Sequence, residues 1–314
     1  MCQPGLLRVR GTLPLLYCLV LSGCVWFAPG KTSRPVVDTT EPWSPKPVEA
    51  AQGSPADVPP LLSRAEGLLK RGKTDEALFY FVKVLNIEPQ NPQALLGVGA
   101  IHRNKGNHDL AELAYEMVLK QQPKNAEALE GMGLSRLAEH SNREAEKYLT
   151  AAVKADPQRW HAHNALGLLA SGSGQYGQAI SHYEQALRAQ PGNAECLNNL
   201  GYAKYEARDW TGAMRAYDAA LAIDPGYESA WMNKALLLAR QGDDQAALAA
   251  FRRVMTEADA YNDLGYIHMT EGDVDGAYEL FEKAIAASPT FHGKANENLR
   301  RLKSGEFNMV GSRR

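Results

Sequence analysis

Through most of the chain, small and large apolar residues return at a fixed interval, with polar stretches between them. Ala77, Ala111, Ala145, Ala179, Ala213 and Ala247 are 34 residues apart, and Ala277 follows after 30. Twelve positions before each alanine stands another small residue: Ala65, Gly99, Gly133, Gly167, Gly201, Ala235 and Gly265. Four positions after each stands a large one: Phe81, Tyr115, Leu149, Tyr183, Tyr217, Phe251 and Phe281. Apolar spacing of this kind predicts helices. A long fixed period predicts stacked copies of one supersecondary unit. Each unit reads as two helices. The first small residue lets the second helix approach, the alanine does the same from the other side, and the large residue fills the space between neighbours. Pro89, Pro123, Pro157, Pro191 and Pro225 share the 34-residue spacing and end the second helices. Gly72, Gly106, Gly174, Gly242 and Gly272 fall in the turn between helices, where a positive φ is needed.

These three registers resemble the tetratricopeptide (TPR) repeat over about residues 58–289. The resemblance implies an all-α fold, a right-handed superhelical solenoid of helix-turn-helix repeats. Seven repeats are expected at 58–91, 92–125, 126–159, 160–193, 194–227, 228–257 and 258–291, so the array spans 58–291. The first is degenerate on its first helix, which begins at Pro59-Pro60. A capping helix over 292–304 shields the open end, and 305–314 is read as a disordered tail. Between repeats six and seven the spacing drops by four residues, and Asp259 stands where proline would be. A tight connection is expected there, with one long helix through Ala258 as the alternative.

The first 23 residues read as a lipoprotein signal peptide. Arg8 and Arg10 precede an apolar stretch from Thr12 to Leu21, about half the ~20 residues a spanning helix needs. Leu21-Ser22-Gly23-Cys24 resembles the bacterial lipobox. That resemblance implies cleavage before Cys24, lipidation of Cys24 and, with Val25 and not aspartate following, an outer-membrane destination facing the periplasm. Residues 24–57 contain six prolines, among them Pro29, Pro45 and Pro55, and read as an unstructured tether.

Charge narrows the partners. The formal net charge is −2, and removal of residues 1–23 with their two arginines makes it −4. No basic stripe marks a nucleic-acid binder, and no polybasic patch marks an anionic lipid surface. Of four cysteines, Cys2, Cys18 and Cys24 lie within the first 24 residues and Cys196 in the array, so no disulfide framework is implied. Cys196 reads as a half-buried small apolar residue.

In the family, the concave wall is made by the first helices of the repeats. Carried onto this sequence, the groove-facing positions include Asn164, Asn198, Asn199, Tyr202, Tyr205, Asn233, Asn262 and Tyr266. Asparagine is a poor helix former, so five on one wall suggest a use. A carboxamide both donates and accepts, and so can hold the backbone of an extended peptide. The competing reading is that these asparagines are simply solvated. Leu96, Leu134 and Leu137 make the earlier wall more apolar, suited either to an amphipathic helix or to the tether.

No catalytic set is legible, and neither a cofactor, a metal nor a small-molecule substrate is expected. Gly172-x-Gly174-x-x-Gly177 follows a helix and not a strand, so it is no dinucleotide site. His161 and His163 are two apart and face different sides of one helix, with His161 at the groove rim. Trp210 and Trp231 read as core. The expected function is a non-catalytic scaffold lipoprotein that binds a protein or peptide in its groove. Leader, tether and repeats together resemble TadD-like lipoproteins of the tight-adherence pilus and the PilF/PilW pilotins, implying assembly of a pilus or secretion machine. An NlpI-like adaptor for peptidoglycan enzymes or a protease, and an AlgK-like polysaccharide-export scaffold, stay open.

Overall fold

The computed structural model describes residues 53–288, 290 and 292–305. The signal peptide, Cys24 and nearly all of the tether, like the tail from 306, lie outside the described residues. The end of the tether is folded: Pro55–Asp57 form a 3-10 turn in which the Ser54 N–H donates to Asp57 Oδ2 at 2.8 Å.

The described residues form two compact units, divided between Asp209 and Trp210. The N-terminal unit holds nine helices: α1 (Val58–Lys70), α2 (Thr74–Ile87), α3 (Pro92–Asn104), α4 (His108–Gln121), α5 (Ala126–Ala138), α6 (Asn142–Ala155), α7 (Trp160–Gly172), α8 (Tyr176–Ala189) and α9 (Ala194–Glu206). The C-terminal unit holds α10 (Trp210–Ile223), α11 (Glu228–Arg240), α12 (Asp244–Phe251), α13 (Glu257–Glu271), α14 (Val274–Ala287) and α15 (Gly293–Ser304). No described residue is in a strand. Each unit is a stretch of helical solenoid. In the N-terminal unit each helix packs on the next, and α1, α3, α5, α7 and α9 also touch in succession, so they form one wall. In the C-terminal unit α11, α13 and α15 do the same.

The helix starts follow from local chemistry. Asn91, Asn125 and Asn193 each place a side-chain oxygen on the third helical N–H, at 3.0, 2.9 and 2.7 Å. Such caps satisfy donors that the helix itself cannot. The turn between paired helices passes through a left-handed residue, Gly106 at φ 76° for example. In two repeats the same position is not glycine: His140 has φ 61° and Arg208 has φ 63°.

The repeated small residues do what their spacing implies. A Cβ at Gly99 would stand 2.6 Å from the Tyr115 ring, at Gly133 2.6 Å from Leu149, at Gly167 2.5 Å from Tyr183 and at Gly265 2.9 Å from Phe281. Each pair joins the two helices of one repeat. The rings also reach forward: Tyr115 lies against Gly131 and Phe81 against Gly97, both in the following repeat. Burying such a side chain is worth about 1.5–3 kcal/mol.

The shortened repeat resolves as a tight turn. α12 has 8 residues where α14 has 14, and α13 has 15 where α11 has 13. The chain turns after Phe251, and Thr256 Oγ1 caps α13 by accepting the Asp259 N–H at 3.1 Å. Arg252 ties the turn down through Glu257 at 2.6 Å and the Tyr261 hydroxyl at 3.2 Å. The continuous helix through Ala258 does not form, because Thr256 takes the extended cap conformation.

Candidate peptide-binding wall

In the N-terminal unit, the candidate residues lie on α7 and α9, adjacent members of the wall. Asn198, Tyr202 and Tyr205 follow one face of α9 at helical spacing, with Asn199 beside them. Asn199 and Tyr202 are half-buried. Asn198 and Tyr205 are buried, at 6% and 8% exposure. Asn164 on α7 is half-buried, and its Oδ1 is enclosed with no hydrogen-bond partner among the described residues.

In the C-terminal unit the wall is used by the chain itself. Asn233 on α11 is 5% exposed and Asn262 on α13 is 4% exposed. Asn262 donates to Asp263 Oδ1 and accepts from Asn298 Nδ2 of α15, both at 3.0 Å. Tyr266 packs on the cluster of Met269, Ala277, Phe281 and Leu299. A second tie runs beside it: His292 Nε2 lies 3.3 Å from Asp259 Oδ1, while its Nδ1 caps α15. In neither unit do all of the candidates lie open. Asn198, Asn233 and Asn262 are not solvent-facing, and Asn262 serves the last helix. Helical periodicity places a residue on a face but does not say that a neighbouring helix covers that face.

Three further expectations need adjustment. Cys196 is fully buried, not half-buried, and burial pushes its thiol pKa up to about 12. Trp210 is 39% exposed at the first turn of α10 and is not core. Leu96, Leu134 and Leu137 are half-buried and pack on the core clusters of the N-terminal unit.

Family models of the tetratricopeptide repeat match residues 68–133, 131–172, 165–228, 215–258 and 258–291, an unbroken run. This chain is a tetratricopeptide-repeat protein. Such repeats are scaffolds that hold peptide or protein partners in a groove, and no catalytic family matches. No curated protein matches the chain. Several solved structures share the fold. PilF of Pseudomonas aeruginosa is 18% identical with a TM-score of 0.52, over 80% of this chain and 98% of that one. The C-terminal part of a TPR protein from Cytophaga hutchinsonii is 18% identical with a TM-score of 0.53, over 76% and 99%. A TPR protein from Parabacteroides merdae is 18% identical with a TM-score of 0.50, over 79% and 99%.

The wall also holds a charged residue that the repeat pattern does not single out. Glu130 on α5 occupies the repeat position held by Leu96, Asn164 and Asn198 in the flanking repeats. It is buried, at 5% exposure. Arg159 Nη2 reaches its Oε1 at 2.6 Å and Arg159 Nε its Oε2 at 3.2 Å. His161, stacked on Trp160, lies 3.6 Å from Oε1. Burial opposes ionisation of Glu130, but the nearby His161 ring and the hydrogen bonds from Arg159 outweigh it and hold the carboxyl below its ordinary range. The available signal was a charged residue at a position that is apolar or amide elsewhere.

Proposed function

We propose that the chain is a lipid-anchored scaffold of the bacterial outer membrane, held through Cys24 and a proline-rich tether and facing the periplasm. It seats an extended segment of a protein partner on the wall of α7 and α9 and helps assemble a pilus or secretion machine. The observation that carries the groove reading is Asn164. Its enclosed, unpartnered Oδ1 is an unmet acceptor, a state that costs about 1–3 kcal/mol. A small rotation of the amide toward a ligand N–H relieves that cost. Asn199 and Tyr202, half-buried on the adjoining helix, supply further donors and acceptors and an apolar ring. The anchor and the machine rest on the leader, the Leu21–Cys24 sequence and the likeness to TadD-like and pilotin lipoproteins.

The test is a crosslinked pull-down of the lipidated protein from its native envelope, read by mass spectrometry, beside a variant carrying Asn164→Ala, Asn199→Ala and Tyr202→Ala. A secretin or pilus component is expected, with recovery at least tenfold lower in the variant. Equal recovery removes the wall from the account. Recovery of peptidoglycan enzymes or a protease instead would replace the assembly reading with the adaptor one. Cys24→Ser should leave the chain unlipidated, with its leader uncleaved.

A further inference from the structure

The turns from first to second helix share one geometry. Gly72, Gly106, Gly174, Gly242 and Gly272 are left-handed, and His140 and Arg208 stand in for glycine in the other two repeats. Each donates its N–H to the carbonyl three residues back, as Gly106 does to Arg103 at 3.0 Å. Five residues after each stands the buried alanine of the second helix, from Ala77 to Ala277. Gly305 makes the same turn after α15. Its φ is 66°, and its N–H donates to the Leu302 carbonyl at 3.4 Å. A left-handed glycine here sends the chain back along the helix it ends. Five residues on, in register with the alanines, stands Val310.

The other side of the contact is already built. Gly99, Gly133, Gly167 and Gly265 each face the second helix of their own repeat. Leu299 follows Gly265 by 34 residues and so holds the same place on α15. With Glu279, Glu282, Lys283, Ile285 and Ala286 of α14 it lines an open cleft of about 570 Å³. The cleft lies where a second helix after α15 would pack. Leu299 fills space that glycine elsewhere leaves for a ring, so a valine matches it better than an aromatic residue would. Charge agrees. Glu282 is exposed and has no ion pair among the described residues, while Glu279 has Lys283 at 3.8 Å. The basic residues of α15 are engaged elsewhere, Arg300 and Arg301 on Glu297 and Lys303 over the Tyr278 ring.

We propose that residues 306–314 dock in this cleft as the start of an eighth second helix, with Val310 against Leu299. Successive second helices run the same way: Lys105, just before α4, pairs with Asp75 at the start of α2, and Gln121 at the end of α4 donates to the Gln90 carbonyl just past α2. A segment parallel to α14 and in register at Val310 brings Arg313 and Arg314 within about one turn of Glu279 and Glu282. As helix, the segment spans ~13 Å, enough to run from Gly305 to that level. It covers the edge that α15 leaves open, and an uncovered edge of stacked repeats invites association.

The full-length chain, in detergent micelles, is prepared with a photo-crosslinking phenylalanine analogue in place of Phe307, half of it labelled with 15N. Crosslinks to α14 are expected, none of them mixed in isotope. Val310→Asp should lower their yield at least fivefold with the helical circular dichroism unchanged. Ser312→Asp, in register with the exposed Glu279, should leave the yield within twofold. Glu282→Lys should lower it at least threefold, and adding Arg313→Glu and Arg314→Glu should restore it. Mixed-isotope products, which report a second copy, or the absence of attachment to α14 would overturn the proposal. So would equal yields from Val310→Asp and Ser312→Asp, or a Glu282→Lys loss that the two glutamates do not repair.

Discussion

The Glu130 carboxylate on α5 accepts the backbone N–H of Ala162, the third residue of α7, at 3.2 Å. It does for α7 what Asn91, Asn125 and Asn193 do for their own helices. In this repeat the cap position is Arg159, whose side chain can only donate. The cap is therefore supplied from the preceding repeat, and Arg159 holds it in place with two hydrogen bonds. Glu130→Leu, which copies Leu96, should destabilise the N-terminal unit by about 2–3 kcal/mol, since it strands a partly buried Arg159 and uncaps α7. Arg159→Asn added to it recreates the local cap and should recover more than half of the loss. Urea unfolding of the single and double variants measures both. Additive losses would show that the two residues do not act as a pair.

The two units should respond to pH in opposite senses. His163 on α7 and His182 on α8 bring their Nδ1 atoms to 3.2 Å. Burial lowers both pKa values, with Arg188 further disfavouring a charged His163 and His163 a charged His182. The unfolded chain then binds protons that the folded one refuses, so stability present above about pH 6.5 is lost as pH falls. His268 on α13 is the converse. Burial disfavours its charge, but Asp273 at 2.6 Å and Asp244 at 3.0 Å outweigh that and raise its pKa. Its contribution is full below pH 6.5 and lost as pH rises through the raised value. Hydrogen exchange from pH 5 to 8, corrected for intrinsic rates, should show α7 and α8 loosening toward acid and α13 and α14 toward alkali. Parallel trends in both pairs would contradict this assignment.

His140 carries a third prediction. Its φ of 61° is the conformation that glycine supplies at Gly106 and Gly174. A side chain there costs on the order of 1 kcal/mol, part of which returns through the greater freedom of glycine in the unfolded chain. His140→Gly should therefore stabilise by about 0.5 kcal/mol and raise the melting temperature slightly. His140→Val should lower it, because branching at Cβ makes a positive φ worse.

The same residues show what the amino-acid order revealed and what it hid. The registers through Ala77, Gly99 and Phe81 are steric demands between sequence neighbours, so they are visible as spacing. The left-handed turn is visible only where glycine fills it, and His140 and Arg208 pass unnoticed because other residues tolerate that conformation at a cost. The wall was legible in part. Asn199 and Tyr202 lie half-buried where the spacing places them. Asn262 does not stay open, because Asn298 arrives from α15, outside the seven-repeat pattern. Glu130 was hidden for a related reason, since its partners Arg159 and Ala162 lie a repeat away.

The sharpest test of the packing rule compares two glycines of one helix. Gly167 faces Tyr183, which is 1% exposed and whose hydroxyl lies 3.4 Å from Ser171 Oγ. A Cβ there would stand 2.5 Å from Tyr183 Cε1, and the ring is enclosed and has little room to retreat. Gly172, five residues on in α7, would place a Cβ with nothing within 4 Å and has no positive φ. Alanine gains helix propensity over glycine at either position, by up to about 1 kcal/mol. At Gly172 that gain should appear as a neutral or slightly stabilising change. At Gly167 overpacking should reverse it, for a net loss of about 1–3 kcal/mol. Thermal unfolding of Gly167→Ala and Gly172→Ala separates propensity from packing. Equal effects would mean that the glycine register reflects backbone freedom and not the close approach of α7 and α8.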